Sequence, residues 1–243
     1  MNQTYRYFGD LQQNHLLAAL PQADIDRWRS KLEPVDLAVN QVLWSVGGTP
    51  EYVYFPTSAI ASLVYLTETG ASAEVAVVGN DGLVGVSLLL GGGAATSEAV
   101  VQSAGRAFRL SAAFFKSELE RSNTISKTML RYAQAVLLQA AQTAICNRYH
   151  SIDQQLCRRL LLGLDRSSSN EMDMTHELVA NLLGVRREGV TIAAHKLQEA
   201  GTIRYRRGHI EVLDRVRLEQ QTCECYSVAK KEYRRLLPMS LAA

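Results

Sequence analysis

The chain has 243 residues, 47% hydrophobic and 21% charged, with a formal net charge of +2 at pH 7. This is the make-up of an ordinary globular protein of one large or two modest domains. No apolar run approaches the roughly 20 residues of a membrane span, and the opening MNQTYRYFGD has no basic stretch leading into an apolar core, so a cytoplasmic chain without a signal peptide is expected.

The elements read as follows in chain order. Residues 11–32 suggest short helices, with Leu16, Leu17 and Leu20 at helical spacing and Pro21 ending or restarting a turn. From Pro34 to about Leu110 the texture changes to Val-, Tyr- and Ile-rich stretches such as EYVYF, IASLVYL and AEVAVV. Turn signals punctuate them: GGTP at 47–50, TG at 69–70, GNDG at 79–82 and GGG at 91–93. The pattern predicts short antiparallel strands in a sandwich or small barrel. Ser111 then caps a short helix through Phe115 and Leu119.

Next comes a segment without Pro or Gly, Asn123 to His150, rich in Ala, Leu, Gln and Met. As a helix it is roughly 40 Å long. Ile125, Met129, Ala133, Val136, Ala140 and Ala144 form a stripe whose small residues suit close contact with the same helix of a second subunit. A further helix, Asp153 to Leu164, ends at the polar run RSSSNE.

The informative stretch is residues 174–214, MTHELVANLLGVRREGVTIAAHKLQEAGTIRYRRGHIEVLD. Thr175 caps a helix whose buried face is Val179, Leu182 and Leu183, with small Ala180 where another helix must cross. Gly184 permits a sharp turn and Val185 packs it. A second helix starts at Arg186, with Val190, Ala193, Ala194 and Leu197 inward and Gly201 closing it. Helix, glycine turn, second helix is a DNA-reading unit whose second helix offers its N-terminal residues to the major groove. Those residues are Arg186, Arg187 and Glu188; Arg bonds guanine bidentately and Glu accepts from cytosine N4. The alternation in TIRYRRGHIEV predicts a hairpin with Arg207-Gly208 at its turn and Arg206 and Arg207 placed for phosphate contact. Charge agrees: residues 1–144 hold 10 Lys/Arg against 12 Asp/Glu, and residues 145–243 hold 16 against 12.

From HSIDQQLCRRLL through this stretch the sequence resembles the winged helix-turn-helix of the Crp/Fnr family of bacterial regulators, and the likeness extends over about residues 10–215. It implies an α+β fold: an N-terminal antiparallel, jelly-roll-like β-roll with flanking helices, a long dimerisation helix and a C-terminal winged helix-turn-helix. The expected divisions are 1–122 for a cyclic-nucleotide-binding-like sensory domain, 123–150 for the dimer helix, 151–217 for the DNA-binding domain and 218–243 for a tail. By resemblance Arg187 and Glu188 read bases, and Thr175 and His176 lie where the family touches phosphate. Ile192 stands where some members place another base-reading Arg, so Thr191 and His195 are taken as contributors instead. The implied partners are double-stranded DNA, a second copy of the chain and, for an activator, RNA polymerase.

The sensory half departs from the family. Cyclic-nucleotide binders carry a Gly-Glu pair followed by Arg-Ser or Arg-Thr, the Arg pairing with the cyclic phosphate. Here Val86 replaces the Glu, Thr96-Ser97 replaces Arg-Ser, and no Arg or Lys lies between Glu68 and Arg106. Cyclic AMP is therefore not the expected ligand, and the effector stays unassigned.

No cofactor or metal is expected. The four cysteines, Cys146, Cys157, Cys223 and Cys225, do not make a disulfide scaffold. None lies near the N-terminus, where the oxygen-sensing branch of the family holds its iron–sulfur cluster. Cys223-x-Cys225 offers only two sulfurs and no nearby His, and Cys146 and Cys157 read as small core or interface residues. His15 is the sole histidine before residue 150 and reads as an ordinary surface residue, which argues against haem. No nucleophile–base constellation or P-loop points to an enzyme. A second reading is a sensory module acting through protein–protein contacts with a degenerate winged helix; the exposed arginines weigh against it.

Overall fold

The computed structural model describes residues 11–91, 93–167 and 169–237. The expectation about the first ten residues lies outside these. No described helix is long and apolar enough to cross a membrane.

Two short helices, α1 (His15–Ala18) and α2 (Gln22–Arg29), lead into seven strands: β1 (Glu33–Leu37), β2 (Val42–Trp44), β3 (Tyr52–Pro56), β4 (Ile60–Leu66), β5 (Ser72–Val78), β6 (Glu98–Ser103) and β7 (Gly105–Ser111). They form two antiparallel sheets, β1-β7-β3 and β2-β6-β4-β5, and not a closed barrel. Alternation decides which side chains face inward: in β3, Val53 and Phe55 are fully buried while Tyr52 and Tyr54 are not. Phe55, Trp28 and Phe115 meet edge-on or tilted, with centroids 6.0–6.4 Å apart. The Trp28 indole donates to Glu118, which also pairs with Arg121, so this core carries no idle polar group at that point.

Helix α3 (Ala112–Arg121), capped by Ser111 as expected, precedes the long helix α4 (Asn123–Tyr149). Helix α5 (Ile152–Leu164) opens on a full capping box, Ser151 with Gln154, which breaks the chain cleanly from α4. Strand β8 (Glu171–Asp173), helices α6 (His176–Leu183) and α7 (Arg187–Glu199), strands β9 (Ile203–Arg206) and β10 (His209–Val212), and helices α8 (Arg215–Gln221) and α9 (Glu224–Leu236) complete the chain. The hairpin is one strand richer than expected, because β8 pairs with β10.

The segment expected as a tail, 218–243, is helical through Leu236. Tyr226, Ala229, Tyr233 and Leu236, spaced three and four apart, turn one face of α9 inward against α4 and α5. Residues 238–243 lie outside the described ones.

Two buried ion pairs fasten the β-roll to the C-terminal part: Glu74–Arg159 at 2.7 Å and Asp81–Arg166 at 2.6 Å. The Ser62 hydroxyl donates to Glu74, and the Arg166 guanidinium donates to the Leu162 carbonyl. A Cβ on Gly79 would stand 2.7 Å from the Arg166 side chain, which is why the GNDG loop opens on a glycine.

Candidate nucleic-acid interface

Helix α6 starts at Thr175, whose hydroxyl accepts from the Leu178 amide at 3.1 Å. Val179, Ala180, Leu182 and Leu183 are buried. Gly184 ends the helix at φ 67, a left-handed conformation that side chains resist. Arg186 is the N-cap of α7, and Val190, Ala193, Ala194 and Leu197 are buried beneath it. With 3.6 residues per turn, that inner face leaves Arg186, Arg187, Glu188, Thr191, Ile192 and His195 exposed on the opposite side. Glu188 lies in the first turn, where the helix dipole favours a carboxylate.

The β9–β10 hairpin closes through Arg207 (φ 41) and Gly208 (φ 93), the positive-φ pair that a two-residue turn requires. Its tip lies beside the start of α6: the Met174 amide donates to the Gly208 carbonyl at 2.7 Å. First helix, recognition helix and wing therefore present one continuous face. The side chains of Arg186, Arg206 and Arg207 have no hydrogen bond or ion pair among the described residues, and the Arg187 side chain has only a loose, exposed approach of 3.8 Å to Glu177. Arg204, by contrast, is taken by Glu211 at 2.7 Å.

His176 departs from its expected phosphate contact. Its Nδ1 is 3.1 Å from the Thr191 hydroxyl, its ring stacks on Tyr205 at 4.0 Å, and its Nε2 is buried. Because the Thr191 hydroxyl donates to the Arg187 carbonyl, the imidazole is the donor between the two side chains. Burial, followed by the Arg187 charge, lowers the His176 pKa. His176 is thus a buttress joining α6, α7 and the wing, and the Thr191 hydroxyl is turned back toward its own helix. Tyr205 is the partner that sequence reasoning passed over; its place on the same face as Ile203 in a period-two strand, paired with Ile210, carried no sign of the stack.

Most of the stripe expected to meet a second subunit is covered within the chain. Ile125 and Met129 are buried in the core that their own β-roll forms, Val136 is half-buried there, and Ala133 is buried as well. Ala140 is half-buried and Ala144 exposed. The face left outward is Leu130, Gln134, Leu137, Ala141 and Ala144, about a quarter-turn round the helix. Leu137 is 62% exposed. The 3.6-residue stripe found the buried side of the helix, and the burial was against the same chain.

In the roll, Val86 packs on the core, the Thr96 hydroxyl meets the Tyr65 hydroxyl at 3.1 Å, and the Ser97 carbonyl accepts from Trp44. A separate cavity of about 280 Å³ lies where roll, α4, α5 and α9 meet, lined by Asp81, Gln139, Arg166, Tyr226 and Lys230 among others. Anything bound there would touch both halves of the chain. His15 also lines it and is half-buried, unlike the surface residue expected.

Cys157 is fully buried as expected, and burial pushes its thiol up to about 12. The expectation that Cys223 and Cys225 lack a nearby histidine fails. His150 Nδ1 stands 3.5 Å from Cys225 Sγ, because α9 folds back on the end of α4.

Residues 34–122 match the family model of the cyclic nucleotide-binding domain, and residues 154–221 that of the Crp-like helix-turn-helix domain. No curated protein matches the chain in sequence. Among solved structures, a transcriptional regulator of the Crp/Fnr family from Eubacterium rectale superposes with a TM-score of 0.68 at 17% identity, over 86% of this chain and 98% of that one. FixK2 from Bradyrhizobium japonicum gives 0.65 at 15%, over 79% and 98%. The c-di-GMP responsive global regulator CLP of Xanthomonas campestris gives 0.60 at 15%, over 79% and 99%. These structures share the fold, and with the two domains matched in this order along one chain, the protein belongs to the Crp/Fnr family of transcription regulators.

Proposed function

We infer that the protein is a cytoplasmic, homodimeric regulator that binds double-stranded DNA at a near-palindromic operator. The observation that carries this is the unpaired Arg186, Arg206 and Arg207, with Arg187 nearly so, gathered on the face that α6, α7 and the wing share. Cations without protein partners are free to replace the counterions of a phosphate backbone.

In this reading Arg186, Arg187 and Glu188 meet base edges, with Thr191 holding the start of α7 in register. Ile192, 58% exposed at the same face, suits a thymine methyl. Thr175, His195, Arg206 and Arg207 approach phosphates. The DNA-reading domain takes in residues 151–217 and the sensory roll residues up to 122. Two copies join along the segment 123–150, which holds α4, through Leu130, Leu137, Ala141 and Ala144, whose spacings of seven, four and three match a two-stranded seam. In such a dimer the two copies of α7 enter successive major grooves about 34 Å apart, one turn of B-DNA. RNA polymerase is a further partner if the protein activates. Cyclic AMP is not the effector, since the stretch between Glu68 and Arg106 holds no Arg or Lys to meet its phosphate.

Fragments selected from a random library, then assayed by gel shift at two salt concentrations, test the reading. A palindromic consensus whose binding weakens steeply with salt is expected; salt-insensitive or sequence-blind binding would overturn it. Leu137→Glu is expected to raise the dimer dissociation constant at least tenfold in sedimentation, and an unchanged dimer would exclude this seam. Micromolar binding of cyclic AMP in an equilibrium titration would sink the ligand claim.

A further inference from the structure

Cys146, His150, Cys223 and Cys225 are far apart in sequence but meet in space. Their ligand atoms all lie within 4.8 Å of one another. Cys146 Sγ is 3.5 Å from Cys223 Sγ, and Cys225 Sγ is 3.5 Å from His150 Nδ1. All three cysteines are buried and the imidazole is half-buried. We propose that these four side chains bind a single thiophilic divalent cation, zinc being the best fit, at the joint between α4 and the DNA-reading domain.

The geometry suits one ion. Zinc takes sulfur at about 2.3 Å and imidazole nitrogen at about 2.0–2.1 Å in a tetrahedron, so its ligand atoms stand roughly 3.5–3.8 Å apart. The two distances given above fall at that edge length. A cluster of two or more irons spreads its ligands wider than one ion does. Three sulfurs and one imidazole select a soft or borderline cation over magnesium or calcium, which demand oxygen.

The local structure explains why the four side chains converge. His150 is the C-cap of α4, and its amide donates to the Cys146 carbonyl at 3.0 Å, which sets the two residues side by side at the helix end. Cys223 is the N-cap of the 13-residue α9, and Cys225 sits in its first turn. His150 turns Nδ1 to the sulfurs and Nε2 to Glu224 Oε1 at 3.4 Å, the carboxylate–imidazole arrangement that orients a metal-bound histidine. Gln155 donates to the His150 carbonyl at 2.9 Å and fixes the backbone behind it. A plain apolar core does not require an imidazole held by a carboxylate among three thiols.

The ligands come from the end of α4, the break before α5 and the start of α9. A bound cation therefore ties α9 to the point where the chain leaves its long helix. Its loss would free that joint and change how the DNA-reading domain sits on α4. This control rests on the DNA-binding reading above; metal binding does not.

The test uses the full chain, purified under reducing conditions without chelator. Elemental analysis is expected to find about one zinc per chain. Metal-stripped protein titrated with Co²⁺ is expected to take up one ion, with a thiolate charge-transfer band and tetrahedral ligand-field bands. Cys223→Ser and Cys146→Ser should each weaken cobalt binding at least a hundredfold, and Glu224→Gln about 10–100-fold. Cys157→Ala should leave it unchanged. Wild-type protein with reduced thiols and no cobalt band would overturn the site without recourse to any variant. So would an octahedral cobalt spectrum, an iron–sulfur chromophore, or a Cys146–Cys223 disulfide in protein that takes no metal after reduction. Zinc-loaded and stripped protein are then compared on a selected DNA fragment. At least tenfold weaker binding on stripping supports the control, and equal affinity overturns it. If neither form binds DNA, the DNA-binding reading fails while the metal result stands.

Discussion

Two sets of arginines divide the C-terminal half of this chain. Arg186, Arg187, Arg206 and Arg207 lie in water on the helix-turn-helix and wing, with no protein partner or a distant one. Arg159 and Arg166, on and just after α5, are buried, and each meets a carboxylate of the β-roll within 2.7 Å. The same side chain serves as a free cation in one place and as a fastener between domains in the other. Burial makes the difference: a desolvated guanidinium is tolerable only when paired, whereas an exposed one stays available to an outside anion.

The sharpest way to break this contrast is to remove one partner of a buried pair. Glu74→Gln leaves Arg159 charged and buried, and is expected to cost about 3–5 kcal/mol of stability in chemical denaturation. The double variant Glu74→Leu/Arg159→Met should recover most of that loss, because it removes both charges. A loss under about 1 kcal/mol for Glu74→Gln would show that water reaches the pair. On the exposed side, Arg187→Ala should leave stability unchanged yet cost about 1–3 kcal/mol of affinity for the preferred DNA and relax its base preference. Unchanged specificity would mean that the register assigned to α7 is wrong. Arg207→Ala should weaken all sequences alike and reduce the slope of log affinity against log salt by about 1. A sequence-dependent loss would move Arg207 from phosphate to base.

The smallest effect concerns His176, which is half-buried beside the exposed set. Its folded pKa lies below the ordinary value of about 6.5, because burial first and the Arg187 charge second disfavour the imidazolium. A group depressed in this way contributes stability that is present above about pH 6.5 and lost as pH falls through the folded value. The denaturation midpoint should therefore drop between pH 7.5 and 5.5, and His176→Gln should flatten part of that drop. An identical pH profile in the variant would exclude His176 as the source.

Much of the DNA-reading face was legible because it is local. Thr175, Gly184 and the Arg207-Gly208 turn are set by backbone demands within a few residues, and the apolar spacing of α7 fixes which side faces out. The stripe expected to meet a second subunit shows where such reading stops. Periodicity identified a buried side of α4 at Met129 and Ala133, but it carries no information about what does the burying. His176 shows the same limit: its partners Thr191 and Tyr205 are 15 and 29 residues away.

The sequence by itself determined the order of strands and helices, the helix-turn-helix with its wing, and the absence of Arg and Lys between Glu68 and Arg106. Each follows from residue type and short-range spacing. Only the tertiary structure decided that α9 folds back along α4, that Arg159 and Arg166 are fasteners rather than DNA contacts, and that three cysteines and a histidine meet at one point. Those outcomes depend on contacts between residues 75 to 85 positions apart, as in Cys225 with His150, Cys146 with Cys223 and Arg166 with Asp81. Separations of that kind are set by how whole elements pack, and no local pattern of side chains encodes them.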